Sequence, residues 1–291
     1  MNNYIKYSII KMMKLSAWVS VSDLLPDKKT GFDRFIFDRF IKQRIFNKNN
    51  PKDILLALKK SGTQGIELLL CPNLEDRDIQ KIQKILKELD MDIFSVHQSI
   101  STLFNIRILE ITNLFEIANK LSAKVVVLHL NVIGDQIFDQ KYINSLKLLE
   151  KQYKIKIAIE NSPISFLSLF KTYSWKEKEF SSLMKKTGFS ITLDTTHLAQ
   201  TDKDIISFYK NNKDKIINIH LSDYKKSFFN TRLLLTYGTH LPLGKGQLPI
   251  KQFLQTLKEE NYSGSITMEI NGTLEELCKS SSFCLLNFNQ I

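Results

Sequence analysis

The sequence predicts a single-domain (β/α)8 barrel, and two observations lead to that fold class. Short apolar runs alternate with longer amphipathic stretches along the 291 residues, which is the pattern of strand–helix units around a parallel sheet. Eight such apolar runs are present, each followed by a stretch able to form a helix. Eight units fit a closed barrel better than an open doubly wound sheet, and no linker-like segment divides the chain.

The eight predicted strands are the short apolar runs of the sequence. In chain order they cover residues 15–19, 65–70, 92–97, 124–130, 156–160, 190–194, 216–221 and 265–270. Such strands, joined by helices, account for the length of the chain without a second domain.

The predicted helices are identified by apolar residues at helical spacing. In the segment 51–60, Ile54, Leu55 and Leu58 would share one face, and Gly62 follows as a stop signal. The remaining predicted helices cover residues 76–89, 109–121, 139–152, 162–187, 202–211, 249–260 and 274–286. Residues 1–13 are interpreted as a disordered extension that precedes a barrel domain over residues 14–291.

Two connections are longer than the usual connection in a barrel. Residues 21–50, rich in Phe and charge, would form a helix of their own or a lid, and residues 223–247 form a second long loop. Because loops at the strand ends of a barrel usually carry function, substrate specificity is expected to depend on these two segments.

Composition narrows the class of protein. The net charge of +11 comes mainly from lysines on predicted helix faces, which suits solvated helices as well as a phosphate-binding patch. No apolar run approaches the roughly 20 residues that span a bilayer, so no membrane partner is expected. Because the cysteines are odd in number and have no paired spacing, a reducing, cytoplasmic location is predicted. They are Cys71, Cys278 and Cys284.

Histidines and carboxylates concentrate at the ends of the predicted strands. Because those ends converge on one rim of a barrel, residues far apart in sequence should meet there. The histidines are His97, His129, His197, His220 and His240, and the carboxylates are Glu160, Asp194 and Glu269. Each one alone could be a helix cap, a partner for lysine or a core imidazole. Together they indicate a metal site, because crowded carboxylates repel one another unless a cation neutralises them.

Four of these residues form a suitable ligand set for one divalent ion: Glu160, Asp194, His220 and Glu269. Carboxylate oxygens favour Mg²⁺ and Mn²⁺, while an imidazole raises affinity for Co²⁺ or Zn²⁺. The other four histidines could bind a second metal bridged by Glu160, or hydrogen-bond a substrate hydroxyl. A metal-dependent enzyme is therefore the leading hypothesis.

These segments resemble one known superfamily, the xylose-isomerase-like TIM barrels, over residues 15–271. That superfamily includes sugar isomerases and epimerases as well as the endonuclease IV group of abasic-site nucleases. The resemblance rests on Val96-His97-Gln98-Ser99, Ile159-Glu160-Asn161, Asp194-Thr195-Thr196-His197, Ile219-His220-Leu221-Ser222-Asp223, the segment from His240 to Gly246, and Met268-Glu269.

Resemblance to the sugar-converting branch implies one divalent metal held by Glu160, Asp194, His220 and Glu269, with Glu160 and Glu269 as acid and base. The implied reaction is proton transfer next to a carbonyl through a metal-stabilised enediolate. His197 would orient a substrate hydroxyl. We therefore predict a metal-dependent sugar isomerase or epimerase with a small-molecule sugar substrate. A homo-oligomer is compatible with this interpretation.

Resemblance to the endonuclease branch implies a different activity on the same rim. Two or three zinc ions would then be bound, with His97, His129, His197 and His240 as further ligands, and the substrate would be abasic-site DNA. The chain departs from that pattern at Gly238, where the branch has an aspartate ligand, and at Ile100, where it has a tyrosine. A zinc-dependent phosphodiesterase is thus the alternative, and a barrel that binds a small ligand or catalyses another metal-assisted reaction is the third hypothesis.

Overall fold

The structure is a computed structural model that describes residues 13–28, 50–71, 74–99, 102, 107–129, 139–161, 177–226 and 238–289. Eight parallel strands pair in chain order, and the last strand pairs with the first to close a barrel. The predicted fold class, a single-domain (β/α)8 barrel, is confirmed. No helix in these residues is long and apolar enough to cross a membrane.

Strand positions agree with the sequence prediction to within two residues at each end. The strands are β1 Lys14–Ser20, β2 Gly65–Leu69, β3 Asp92–His97, β4 Val125–His129, β5 Lys156–Glu160, β6 Ser190–Asp194, β7 Ile216–Leu221 and β8 Ser265–Met268. One difference concerns the predicted site. Since β8 ends at Met268, Glu269 lies immediately beyond the strand rather than within it.

The helices between the strands also follow the prediction closely. They are α1 Val21–Leu24, α2 Pro51–Lys60, α3 Asp76–Glu88, α4 Ile108–Lys120, α5 Gln140–Tyr153, α6 Glu177–Thr187, α7 Thr195–Ala199, α8 Ile205–Asn212, α9 Ile250–Glu259 and α10 Leu274–Asn289, with a 3-10 turn at Pro26–Lys28. The sequence did not predict the short α7, whereas α1 lies at the start of the segment 21–50, for which a helix was one of the two predicted alternatives. The apolar face predicted for α2 is confirmed, since Ile54, Leu55 and Leu58 are buried.

Some predictions fall outside the described residues. These are the extension at 1–12, most of the segment proposed as a lid at 29–49, the first part of a predicted helix at 162–176, and the loop at 227–237. Residues 14–291 as the domain boundaries stay a prediction.

The two faces of the barrel strands have opposite character. The outward faces carry large apolar residues, such as Ile66, Leu68, Ile191 and Leu193, all of which are buried against the helices. Alternate positions on the same strands carry small or polar residues, such as Thr192. Because successive side chains on a strand point to opposite faces, the polar residues form a column inside the barrel that leads to the rim.

Candidate metal centre

All eight residues predicted from the sequence lie at one end of the barrel and fall into three overlapping groups. The first contains Glu160, Asp194, His220 and Glu269, the second His97, His129 and Glu160, and the third Asp194, His197 and His240. Within each group every residue offers one ligand atom, and these atoms lie within 4.8 Å of one another. Glu160 and Asp194 each belong to two groups, so either carboxylate could bridge two ions.

The four-residue group surrounds Nδ1 of His220. That atom lies 2.8 Å from Oε2 of Glu269, 3.4 Å from Oε2 of Glu160 and 4.0 Å from Oδ2 of Asp194. Glu160, Asp194 and His220 are almost completely buried, whereas the Glu269 side chain keeps 19% of its exposure. Glu269 is therefore the carboxylate of this group most accessible from outside.

The second group continues from Glu160 towards β3 and β4. Oε2 of Glu160 lies 3.2 Å from Nε2 of both His97 and His129. Gln98 contacts both residues: Nδ1 of the His97 ring lies 2.8 Å from the Gln98 carbonyl, and the His129 backbone amide donates to Gln98 Oε1 at 2.8 Å. Both rings thus present Nε2 to the same carboxylate oxygen.

The third group depends on the short helix α7. Asp194 is the N-cap of this helix, and its Oδ1 accepts a hydrogen bond from the His197 amide at 2.7 Å. This cap turns His197 back over the rim, where its Nδ1 lies 3.5 Å from Asp194 Oδ2 and 2.8 Å from Glu160 Oε1. Nδ1 of His240 lies 4.0 Å from Asp194 Oδ2.

Asp223, on which the sequence analysis placed no role, holds the loop that carries His240. Its carboxylate accepts hydrogen bonds from the amides of Tyr224, Gly244, Gly246 and Leu248 at 2.8–3.0 Å. A Cβ at position 246 would lie 2.3 Å from Asp223 Oδ1, so this close approach requires glycine. An acidic residue two positions after a strand, facing a Gly-x-Gly loop, was the signal in the sequence.

Glu67 is the second residue that the sequence analysis missed. It is fully buried in β2, and its Oε1 lies 2.8 Å from Nε2 of His220. Its signal in the sequence is a single acidic residue inside an otherwise apolar strand, Gly65–Leu69. Because Glu67 stands in mid-strand, it does not belong to the pattern of strand-end residues that predicts the rim.

The buried carboxylates of the site stabilise positive charge on the groups around them, as the shifts of the pKa values show. Burial opposes ionisation of Glu160, yet the imidazoles of His129 and His220 hold the pKa of its carboxyl well below its usual range. Burial also opposes charging of His197, but Asp194 and Glu160 raise its pKa to about 9. The pKa of His220 is raised too, because Glu67, Glu160 and Glu269 outweigh its burial.

Asp194 shows the effect of crowding. Burial and the neighbouring carboxylates of Glu269 and Glu160 together raise the pKa of Asp194, although His197 and His240 act in the opposite direction. Either a protonated imidazole or a metal cation can supply the charge that these carboxylates require, and the two compete for the same atoms.

The hydrogen bonding of the donor atoms also fits a metal ion. Among the described residues, Glu160 Oε1, Asp194 Oδ2, Glu269 Oε2 and both ring nitrogens of His220 are buried without an aligned hydrogen-bond partner. A buried polar atom without a partner costs roughly 1–3 kcal/mol, and such atoms rarely cluster. A cation bound between them would satisfy several of these atoms at once.

Comparison with known proteins identifies the family. A family model described as "Xylose isomerase-like TIM barrel" matches residues 55–282. The chain belongs to this family. The resemblance inferred from the strand-end motifs is therefore confirmed. No curated protein sequence matches the chain at a significant level.

Solved structures with the same fold include several epimerases. The apo form of 3-keto-D-glucoside 4-epimerase from E. coli matches at 13% identity and a TM-score of 0.63, covering 96% of this chain and 100% of that one. A D-tagatose 3-epimerase-like protein matches at 19% identity and 0.65, covering 96% and 99%. The IOLI protein with a bound zinc atom matches at 17% identity and 0.66, covering 96% and 99%. At these identities the similarity establishes the fold.

Proposed function

We propose that this protein is a divalent-metal-dependent isomerase or epimerase of a sugar or sugar derivative. The observation that carries the proposal is the convergence of Glu160, Asp194, His220 and Glu269, whose ligand atoms lie within 4.8 Å of one another at the barrel rim. Family neighbours named as sugar epimerases support the choice of reaction class. The partner of the site is then a small carbohydrate.

The four converging residues would hold the ion, with three oxygen donors and one nitrogen donor. This set is compatible with Mg²⁺, Mn²⁺, Co²⁺ or Zn²⁺. When bound, the ion would polarise a substrate carbonyl and the adjacent hydroxyl and offset the negative charge that develops on them.

Glu269 and Glu160 are the proposed proton-transfer residues. Histidines lower the pKa of both carboxyls despite their burial, so both are ionised at neutral pH and either can accept a proton. Their different accessibility suggests an order. Glu269, with its side chain 19% exposed, takes the proton from the carbon beside the carbonyl. Glu160, which is 1% exposed, first takes up a proton from the imidazolium of His197, whose Nδ1 lies 2.8 Å from Glu160 Oε1, and then delivers that proton to the other side of the carbon. Exchange with solvent removes the proton from Glu269 and reprotonates His197.

The remaining histidines would bind substrate. His197 and His240 stack edge to face, with ring centroids 5.1 Å apart, and both retain some exposure at the rim. An imidazole in this position can donate to or accept from a sugar hydroxyl. We propose that these two rings orient the hydroxyls next to the reacting carbon.

The test is to incubate the metal-loaded protein with a panel of ketoses and their derivatives in D2O. Proton transfer through a carboxylate predicts a new epimer or isomer that carries deuterium at the reacting carbon. Protein purified without chelator should hold one equivalent of a divalent metal by elemental analysis. A protein that binds no metal, or that converts no member of the panel, contradicts the proposal.

One observation favours a second candidate, zinc-dependent hydrolysis of a phosphodiester at abasic-site DNA. The second and third ligand groups provide donor sets beyond the one that a mononuclear site requires. The third group retains Asp194, His197 and His240, although Gly238 supplies no carboxylate.

Metal content separates the two candidates before any substrate is known. Two or three zinc equivalents per chain, together with cleavage of a duplex that contains an abasic site, would replace the first proposal with the second. One equivalent and no cleavage would retain the first, since a catalytic metal depends on its complete ligand shell.

A further inference from the structure

Among the described residues, the polar column beneath the rim contains the fully buried carboxyl group of Glu67. In the sheet register Glu67 pairs with Ser95, and Ser95 stands two residues before His97 on β3. Glu67 therefore lies one layer below the candidate ligands. An ionised carboxylate in such a place is costly unless every oxygen has a partner. The contacts of its two oxygens therefore indicate the role of Glu67.

One oxygen of Glu67 is engaged by two donors. Oε2 accepts a hydrogen bond from Ser95 Oγ at 2.6 Å and another from Asn218 Nδ2 at 2.9 Å. The Asn218 amide cannot turn round without loss, because its Oδ1 already accepts from Ser265 Oγ at 2.8 Å and Thr267 Oγ1 at 3.1 Å. The network therefore fixes the orientation of the carboxylate.

The other oxygen is directed at His220. Oε1 of Glu67 lies 2.8 Å from Nε2 of His220 as a close charge-pair contact, and neither of these buried atoms has an aligned hydrogen bond to any described residue. The opposite ring nitrogen, Nδ1, is the one surrounded by Glu269, Glu160 and Asp194. A neutral imidazole has one N–H and one lone pair, so the proton on Nε2 determines that Nδ1 is the ligand atom.

We propose that Glu67 is a positioning residue that keeps the proton of His220 on Nε2, so that Nδ1 presents its lone pair to the metal at the rim. The inference rests on the metal binding of the proposed function, and it concerns a residue that touches neither the ion nor the substrate. Partners behind a ligating histidine commonly fix its ring and tautomer in this way.

The substitution Glu67→Gln tests the proposal because it keeps the side-chain volume, but an amide cannot accept hydrogen bonds both from His220 and from the donors Ser95 and Asn218. If the new amide turns its oxygen to His220, its NH2 faces the NH2 of Asn218. If it turns its oxygen to Asn218 and Ser95, its NH2 faces Nε2, which must then accept, and the proton moves to Nδ1. The first orientation disrupts the network that fixes the side chain behind His220, and the second places the proton on the ligand atom. In either orientation the metal should therefore be bound less tightly.

The experiment is a chelator competition that measures the affinity of the full-length protein for Zn²⁺ and Co²⁺. Glu67→Gln is expected to weaken binding by roughly 10- to 100-fold and to shift the visible absorption of bound Co²⁺. The matched control is Thr192→Val, which removes a buried hydroxyl from a barrel strand and nearly keeps the side-chain volume. That hydroxyl has no hydrogen-bond partner among the described residues, so affinity should stay at the wild-type value.

The metal affinity and the Co²⁺ spectrum of the variant decide whether Glu67 positions His220. Wild-type affinity and an unchanged Co²⁺ spectrum in Glu67→Gln would overturn the positioning role, as would a variant that is only less stable in its metal-free form. If Glu67→Gln does not fold, Glu67→Asp keeps the carboxyl group but withdraws the oxygens from Nε2, and the same criteria apply. Failure of the wild-type protein to bind metal would overturn the proposed function as well, which distinguishes the two failures.

Discussion

The outward faces of the barrel strands carry apolar residues that stabilise the fold, whereas the inward faces near the rim carry ionisable residues. On β6, Leu193 is fully buried among apolar side chains, while its neighbours Thr192 and Asp194 lie on the opposite face and are equally buried. The outward residues contribute the hydrophobic burial that stabilises the fold. The inward residues near the rim include carboxylates and imidazoles whose burial is costly, which is expected of a site that needs a cation. The hydrophobic core and the candidate site are thus separated by alternation along the same strands.

The largest expected effect is on the inward face. Glu269→Gln removes the accessible carboxylate and keeps its size, so turnover should fall by about 10²- to 10⁴-fold. The measurement is the rate of epimer or isomer formation by the metal-loaded protein. Glu116→Gln, an exposed change on α4, should leave that rate unchanged. Full activity in Glu269→Gln, and likewise in Glu160→Gln, would remove these carboxylates from the reaction.

The next effect belongs to the outward face. Leu193→Ala removes buried apolar volume one residue before Asp194, and the free energy of unfolding should fall by about 2–5 kcal/mol. Denaturant titration measures this change, and metal affinity of the folded protein should stay near the wild-type value. A large loss of affinity in Leu193→Ala would show that the two faces are not separable.

A smaller effect concerns the pH dependence of the metal-free protein. Burial opposes charge on His197, yet Asp194 and Glu160 raise its pKa from 6.5 to about 9. A pKa raised in the folded state gives stability that is complete below the unfolded value and lost as the pH rises through the folded value. The melting temperature of chelator-treated protein should therefore fall by several degrees between pH 6.5 and 9. His197→Gln should reduce this fall, and an equal fall in that variant would contradict the explanation.

The smallest expected effect distinguishes the inward groups from one another. Under the sugar proposal, His97→Ala should retain one metal equivalent and raise KM by roughly tenfold through a lost substrate contact. Elemental analysis and steady-state kinetics measure both quantities. Loss of a metal equivalent in this variant would instead show that His97, His129 and Glu160 form a second metal site.

Much of the fold and the rim could be predicted from the sequence because both depend on periodic signals. Apolar runs such as Ile155–Ile159 identify strands by length and composition, and the parallel arrangement brings their carboxyl ends together whatever the loops do. His97, Glu160 and Asp194 each close a predicted strand, and His220 is the last residue but one of another, so their convergence followed from counting strands. The short helix α7 was missed because its five residues are too few for a helical period to show.

The sequence by itself determined the eight-unit barrel, the end of the barrel where the candidate ligands collect and the types of donor found there. Only the tertiary structure decided how those donors divide into three groups, and that Glu67, Ser95 and Asn218 meet behind His220. The reason is that periodicity within a strand fixes which face a residue occupies, whereas the register between strands fixes its height and its neighbours. That register arises from the closure of all eight strands together, so it cannot be derived from any one segment.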